Sequence, residues 1–368
     1  MRPGFSLWLD VLRVAAAFVV LLGHFAHTRF TRGDYAILRE INIASDAVIV
    51  FFVLSGVVIA YAGERDGTLS RFAFNRLTRL FTVLVPALIL TWVFDGIGTR
   101  IDPSAYQYPF YQSHDATSFF LRGLTFSNEW SGYLDRVRLG SNGPLWSLSY
   151  EAGFYAMFAA GVFLRGALRV VMILLLALIL GAPVLALLPC WLAGVWLWHH
   201  LTGRGSDMSR ALAWGLAVVP VFGLIFARMA GLPEFLTLLT DLAAYPATAK
   251  STLHFSDEIL WNSLIALAVS AHLMGVYGLA KTRRFAVDTS FARVTRWLAG
   301  GSFSLYVVHY PVLHLLDASL PESLPGYDLA LLGGTLMVCY GFAGVFERPL
   351  KAYRTWILRL RPVRRVEA

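Results

Sequence analysis

Long apolar runs separated by short polar stretches organise this chain from end to end. Ten of them approach the roughly 20 apolar residues a helix needs to cross hydrocarbon. They cover about residues 6–27, 44–62, 77–97, 144–164, 167–182, 184–200, 210–229, 258–280, 298–316 and 328–347. The fifth and sixth are short and run together around Gly181-Ala182-Pro183. The pattern predicts an all-α polytopic membrane protein of about ten transmembrane helices, without internal repeats or low-complexity segments. The first run is too long for a cleavable signal peptide, carries an arginine, and is followed by HFAHTRF instead of a small-residue cleavage site.

Composition agrees with this class. Hydrophobic residues make up 57% of the chain and charged residues 15%, whereas soluble domains are about a quarter charged. The net charge of +8 does not point to nucleic acid, because the basic residues sit beside apolar runs and form no single stripe. Their distribution sets an orientation instead. With the N-terminus inside, 21 of the 31 Lys and Arg residues fall on the cytoplasmic side, as the positive-inside rule requires. Both termini are then cytoplasmic, with a transmembrane domain over 1–350 and a basic cytoplasmic tail over 351–368. Cys190 and Cys339 each lie in an apolar segment and read as packing residues. The longest connection, about 98–143, falls outside. It is rich in aromatic and polar residues, so it either lies back over the membrane mouth to bind a hydroxyl-rich molecule or forms an interfacial aromatic belt.

Polar residues inside apolar runs are costly, and they carry the functional signal. Arg13 and His24 lie in the first run, eleven positions apart. That spacing is three turns plus about 20°, so both leave one face of a helix, roughly 16 Å apart along its axis. Arg13 is nearer the cytoplasm and reads as a structural ion-pair partner or a fork for an anionic or carbonyl-bearing ligand. His24 is nearer the outside and is suited to take a proton from an alcohol. Arg76 and Arg79 share a helix face at the start of the third span, where they either anchor the helix or bind phosphate together. Glu151 lies a third of the way into the fourth span and needs a partner, with Arg13 and His24 the two expected possibilities. Ser302, Tyr306 and His309 recur at spacings of four and three, giving the ninth span a polar face that knits helices or lines a pocket.

These residues fall in ordered motifs that resemble the acyltransferase 3 family of bacterial multi-spanning membrane enzymes. The motifs are the Arg13–His24 pair, FFVLSGVVIAY at 51–61, Arg76 with Arg79, WSLSYEAGFY at 146–155, SFSLYVVHYPVL at 302–313 and ERPL at 347–350. Two departures stand out. Many members carry an Asp two places before the FF pair, where this chain has Ile49, with Asp46 one turn earlier. The usual paired acid or amide after the motif glutamate is replaced by Ala152 and Gly153. No SGNH-type domain follows the last span, so transfer is expected to finish within the membrane part or on a separate partner.

The resemblance implies an enzyme of the bacterial inner membrane that O-acylates glycans. Its co-substrate would be cytoplasmic acyl-coenzyme A, acetyl-CoA in the simplest case, with no permanently bound cofactor and no metal. The acceptor would be a hydroxyl of an envelope polysaccharide, oligosaccharide or glycolipid. Carried over, His24, Glu151 and Arg13 become the catalytic group, and Arg76, Arg79 and Arg13 the coenzyme A contacts. The acceptor would draw on Asn142, Trp146, Tyr150, Ser302, Tyr306 and His309. A transporter or flippase would use the same intramembrane Arg, Glu and His, but would need no coenzyme A.

Overall fold

In hydrocarbon, a helix satisfies its own backbone hydrogen bonds, so each apolar run is driven to helix. A computed structural model describes residues 1–132, 134–203, 208–282 and 289–359, and no β-strand occurs among them. Arg204, Arg283, Arg284, Arg361, Arg364 and Arg365, with the last nine residues of the expected tail, lie outside the described residues.

The long helices are α1 (Pro3–Phe25), α2 (Ile43–Asp66), α3 (Leu69–Ile101), α4 (Leu145–Phe163) and α5 (Gly166–Thr202). They continue as α6 (Arg210–Met229), α7 (Ile259–Thr282), α8 (Ser302–Ser319) and α9 (Tyr327–Phe346). Among the described residues, seven helices are long and apolar enough to cross a membrane. The sequence pattern had predicted ten spans. The long helices outside the seven are α4 and α8, whose apolar character is diluted by the polar residues of the WSLSYE and SFSLYVVH motifs.

The fifth and sixth predicted spans form the continuous stretch α5, broken at Gly181, where φ is +80°. A straight helix would carry Trp191 about 16 Å beyond Leu180. Instead, Leu180 abuts Gly153 on α4, while the Trp191 ring lies 5.9 Å from both Phe154 and Phe158. The chain therefore turns back at Gly181, and its second half descends beside α2. These two helices meet at backbone distance. A methyl group on Gly56 would sit 2.1 Å from the Trp191 carbonyl oxygen, and one on Gly194 would sit 2.0 Å from that of Val53. Small residues permit this contact where apolar lipid offers no hydrophobic drive for association.

Helix α8 is the hub, buried without interruption from Ser304 to His314 and packed on α1, α3 and α9. Two polar devices fix its height. Glu347, from the ERPL motif, accepts the Ser304 backbone N–H at 2.8 Å, placing a carboxylate at the positive end of the helix. Asn142, just before α4, donates to the Val307 carbonyl at 2.9 Å and to Thr91 Oγ1 at 3.0 Å. The outer connection lies back over the bundle. Phe110 packs edge-on to His27 at 4.7 Å, Tyr106 reaches His314 at 5.5 Å, and Arg29 donates to the Ala105 carbonyl.

Candidate active site

An internal cavity of about 360 Å³ opens between α1, α2, α3, α4, α8 and a short helix over Leu350–Arg359. A turn at Gly67 joins α2 to α3 and brings Arg65 beside the first turns of α3. From α3, Arg76 and Arg79 project together at i and i+3. Arg13 enters from α1, and Arg354 from the short helix. All five arginines line the cavity, against one lining carboxylate, Glu151.

The five are held differently. Arg13 pairs with Asp10 on its own helix at 3.3 Å, so its ion pair is not with another span. Arg65 donates twice to Asp66, at 2.9 and 2.8 Å. Arg354 donates to Thr78 Oγ1 at 2.9 Å and to the Asn75 carbonyl at 2.5 Å. The buried Nε of Arg76 has no hydrogen-bond partner among the described residues. Several guanidinium groups around a low-dielectric cavity focus positive potential and suit an anion carrying more than one phosphate.

Glu151 meets neither Arg13 nor His24. Its Oε1 accepts from Ser55 Oγ and, at 2.7 Å, from Tyr155 OH. Ser55 in turn accepts from Trp191 Nε1 at 3.1 Å. Tyr155 lies one turn along α4, and Ser55 on the facing helix, so local partners satisfy the Glu151 oxygen without Arg13 or His24. Asp46 does not take the place of the absent family acid at Ile49. It binds Arg228 and Trp261 on the α6–α7 side, while Ile49 is buried in the apolar core.

At the deep end of the cavity, Tyr306 OH meets Ser147 Oγ at 2.5 Å and donates to the Pro144 carbonyl at 3.2 Å. Phe51 lies edge-on to the Tyr306 ring at 5.6 Å. One turn further along α8, His309 Nε2 sits 2.8 Å from His24 Nδ1. The hydrogen positions of the neutral pair follow from its contacts. His309 Nδ1 lies 2.9 Å from the carbonyl oxygens of Leu305 and Tyr306, which only accept, so this nitrogen carries the hydrogen. His309 Nε2 is then the acceptor and His24 Nδ1 the donor. The Nε2 of His24 is left with a free lone pair. This chain from backbone carbonyl to His309 to His24 fixes the His24 tautomer, the geometry by which the third member of a catalytic triad orients its base.

Of the other sequence candidates, Ser302 lines the cavity and donates to the Ala299 carbonyl at 2.9 Å. Asn142, Trp146 and Tyr150 lie apart from it. Asn142 supports α8 as described, Trp146 stacks on Phe255 at 4.4 Å, and Tyr150 is fully buried against Trp146. In the outer connection, burial pushes the Glu129 carboxyl above its ordinary value, with Arg136 pulling it back; the two are 2.6 Å apart.

Cationic cavity, half-buried carboxylate and histidine pair are thus assembled from motifs spread over almost the whole length, and residues 6–344 match the acyltransferase domain of one family. The chain belongs to the acyltransferase 3 family. Its long apolar helices are those of a multi-pass membrane protein. The chain is also similar to an O-acetyl transferase of Shigella phage Sf6, at 30% identity over 155 residues. That stretch is 42% of this chain and 45% of the relative, so the similarity spans about half of either protein. No solved structure matches the chain.

Five polar cavity residues were not site candidates in the sequence: Arg65, Arg354, Ser55, Ser147 and Tyr155. Ser55 and Tyr155 lie inside motifs, but their types are ordinary for a helix interior. Arg354 lies beyond residues 6–344, in a basic run that reads simply as a cytoplasmic tail. No feature of the sequence marks His309 as the partner of His24.

Proposed function

We propose that this acyltransferase moves a short acyl group, acetyl in the simplest case, from cytoplasmic acyl-coenzyme A to a hydroxyl of an envelope glycan or glycolipid. The setting is the bacterial inner membrane, with about ten crossings and both termini inside. The reversal of α5 at Gly181 supports the even number. The observation that carries the reading is the arrangement along α8: an arginine-lined cavity on one side of Tyr306 and the His24–His309 pair on the other.

In this reading Arg76, Arg79, Arg65 and Arg354 hold the phosphates, and the pantetheine arm rises past Arg13 and Glu151. The acyl end passes the Tyr306–Phe51 pair to reach His24. His24 Nε2 takes the proton of the acceptor hydroxyl as its oxygen attacks the thioester carbonyl. The C–S bond then breaks, and the proton passes from His24 to the departing sulfur, giving an ester and free coenzyme A. His309 remains hydrogen-bonded to Nδ1 throughout and holds the imidazolium as it forms.

Purified protein in nanodiscs, given radiolabelled acetyl-CoA and a total glycan extract of the envelope, tests the reading. Alkali-labile label on the glycan with stoichiometric release of coenzyme A is expected. Label that stays on coenzyme A while the glycan moves across the membrane would replace the enzyme reading with transport. A folded His24→Ala protein that transfers at the normal rate would overturn the proposed base.

A further inference from the structure

Arginines on the outer side of the molecule fall into two groups. Arg32 binds Glu322 at 3.1 Å, Arg136 binds Glu129 at 2.6 Å, and Arg228 binds Asp46. Arg29 and Arg138, which lie against His314 and Tyr310, have no such carboxylate among the described residues. Arg29 lies against the His314 ring, with nitrogen separations of 3.2 and 3.3 Å, and donates to the Ala105 carbonyl. Because a guanidinium only donates, His314 must be neutral to accept from it. Arg138 stands 5.9 Å from the Tyr310 ring, with its Nε buried and without a hydrogen-bond partner among the described residues. Tyr310 joins the pieces, its ring lying 4.9 Å from His24 and 4.8 Å from His314.

The acids within electrostatic reach of these two arginines are committed elsewhere. Asp95 takes the Ser141 N–H at 2.9 Å and its hydroxyl at 2.5 Å. Asp317 accepts from Tyr327 at 2.6 Å, and Glu129 holds Arg136. Arg29, Arg138 and His24 are each half-buried, neither sealed into the core nor freely hydrated. A half-buried guanidinium without a carboxylate retains much of its desolvation cost. Two such groups around Tyr310, whose ring lies 4.9 Å from that of His24, leave a place where an anionic oxygen group would gain charge-assisted hydrogen bonds.

Resting on the assignment of His24 as the base, we infer that Arg29 and Arg138 form an acceptor site for an anionic glycan. A phosphate or carboxylate of the acceptor is held around Tyr310 while its hydroxyl is presented to His24 Nε2. The outer connection supplies Arg138 and, through Phe110 beside Arg29 at 4.9 Å, an apolar wall suited to a sugar face. The shared chemistry is an anionic oxygen group, which an acidic sugar or the diphosphate of a lipid-linked glycan would provide.

The test uses full-length His24→Ala protein in nanodiscs, so that binding is read without turnover. Three radiolabelled probes are compared: a neutral glucose tetrasaccharide, the same tetrasaccharide carrying one glucuronate, and a polyprenyl-diphosphate-linked tetrasaccharide. One of the charged probes is expected to bind about tenfold tighter than the neutral one, the scale of one charge-assisted contact. The probe that gains identifies a carboxylate or a diphosphate as the recognised group. Arg29→Gln and Arg138→Gln should each remove that advantage, Arg29→Lys and Arg138→Lys should keep most of it, and acetyl-CoA binding should not move. Equal binding of all three probes, or an advantage that survives both glutamine variants, overturns the inference. Failure of the enzyme reading is separate, seen as wild-type protein that releases no coenzyme A with any acceptor.

Discussion

In the proposed orientation, the inner and outer ends of α8 treat charge differently. At the inner end, five arginines from four separate segments converge on one cavity; Arg13 and Arg65 have carboxylate partners in Asp10 and Asp66, and among the described lining residues Glu151 is the one carboxylate. At the outer end pairs such as Arg32–Glu322 and Arg136–Glu129 tie segments together, Arg29 and Arg138 have no carboxylate partner among the described residues, and the groups proposed to react are imidazoles. Paired charges hold the scaffold together, while unpaired ones are where a ligand's charge belongs. The contrast matches the two tasks proposed for the protein: capture of a polyanion at one end and proton transfer at the other.

The largest expected effect lies at the outer end. Replacing His24 by Ala should lower transfer by about 10²–10⁴-fold, the usual worth of a general base, with membrane insertion and acetyl-CoA binding unchanged in a single-turnover assay. His309→Ala should cost about 10²-fold and shift the pH–rate profile, because His24 loses the acceptor that fixes its tautomer. His309→Gln, whose amide oxygen can accept from Nδ1–H, should recover part of the rate. A His309→Ala protein with normal rate and profile would break the proposed relay.

The inner end should respond through binding. Arg76→Gln with Arg79→Gln is expected to raise the KM for acetyl-CoA by about 10–100-fold, as loss of charged hydrogen bonds does, with kcat little changed. Arg354→Gln should raise it several-fold, and less so for dephospho-CoA if this residue meets the 3′-phosphate. Identical KM values in that variant would remove the short helix from the site. The smallest effect belongs to the scaffold. Arg32→Gln should leave turnover intact and change stability by about 0–1 kcal/mol in a thermal or denaturant assay, since its pair with Glu322 is exposed. A large loss of turnover there would erase the distinction between paired and unpaired charge.

Much of this protein was legible from its sequence because charge inside an apolar run is expensive and therefore informative. Arg13, His24, Arg76, Arg79 and Glu151 announced themselves that way, and their order along the chain carried the family. Gly181-Ala182-Pro183 likewise marked the place where α5 turns back. Residues whose role depends on a neighbour were not legible. Glu151 looked as if it required a distant cation, yet Tyr155 one turn away and Ser55 across the interface satisfy it. Asn142, Trp146 and Tyr150 looked like acceptor contacts because of their motif, but they pin and pack helices.

By itself, then, the sequence determined the class of the protein, the face each polar residue occupies on its own helix, and the family. These follow from local periodicity and the cost of burying charge, which any stretch of about 20 residues reports. Only the tertiary structure decided which faces meet. It joined His24 to His309 across 285 positions, brought Arg354 back to Arg76 and Arg79, and put Tyr306 between cavity and histidines. Periodicity fixes an angle about one helix axis, whereas the rotation and height of one helix against another come from packing, caps such as Glu347, and close glycine contacts such as Gly56 with Trp191.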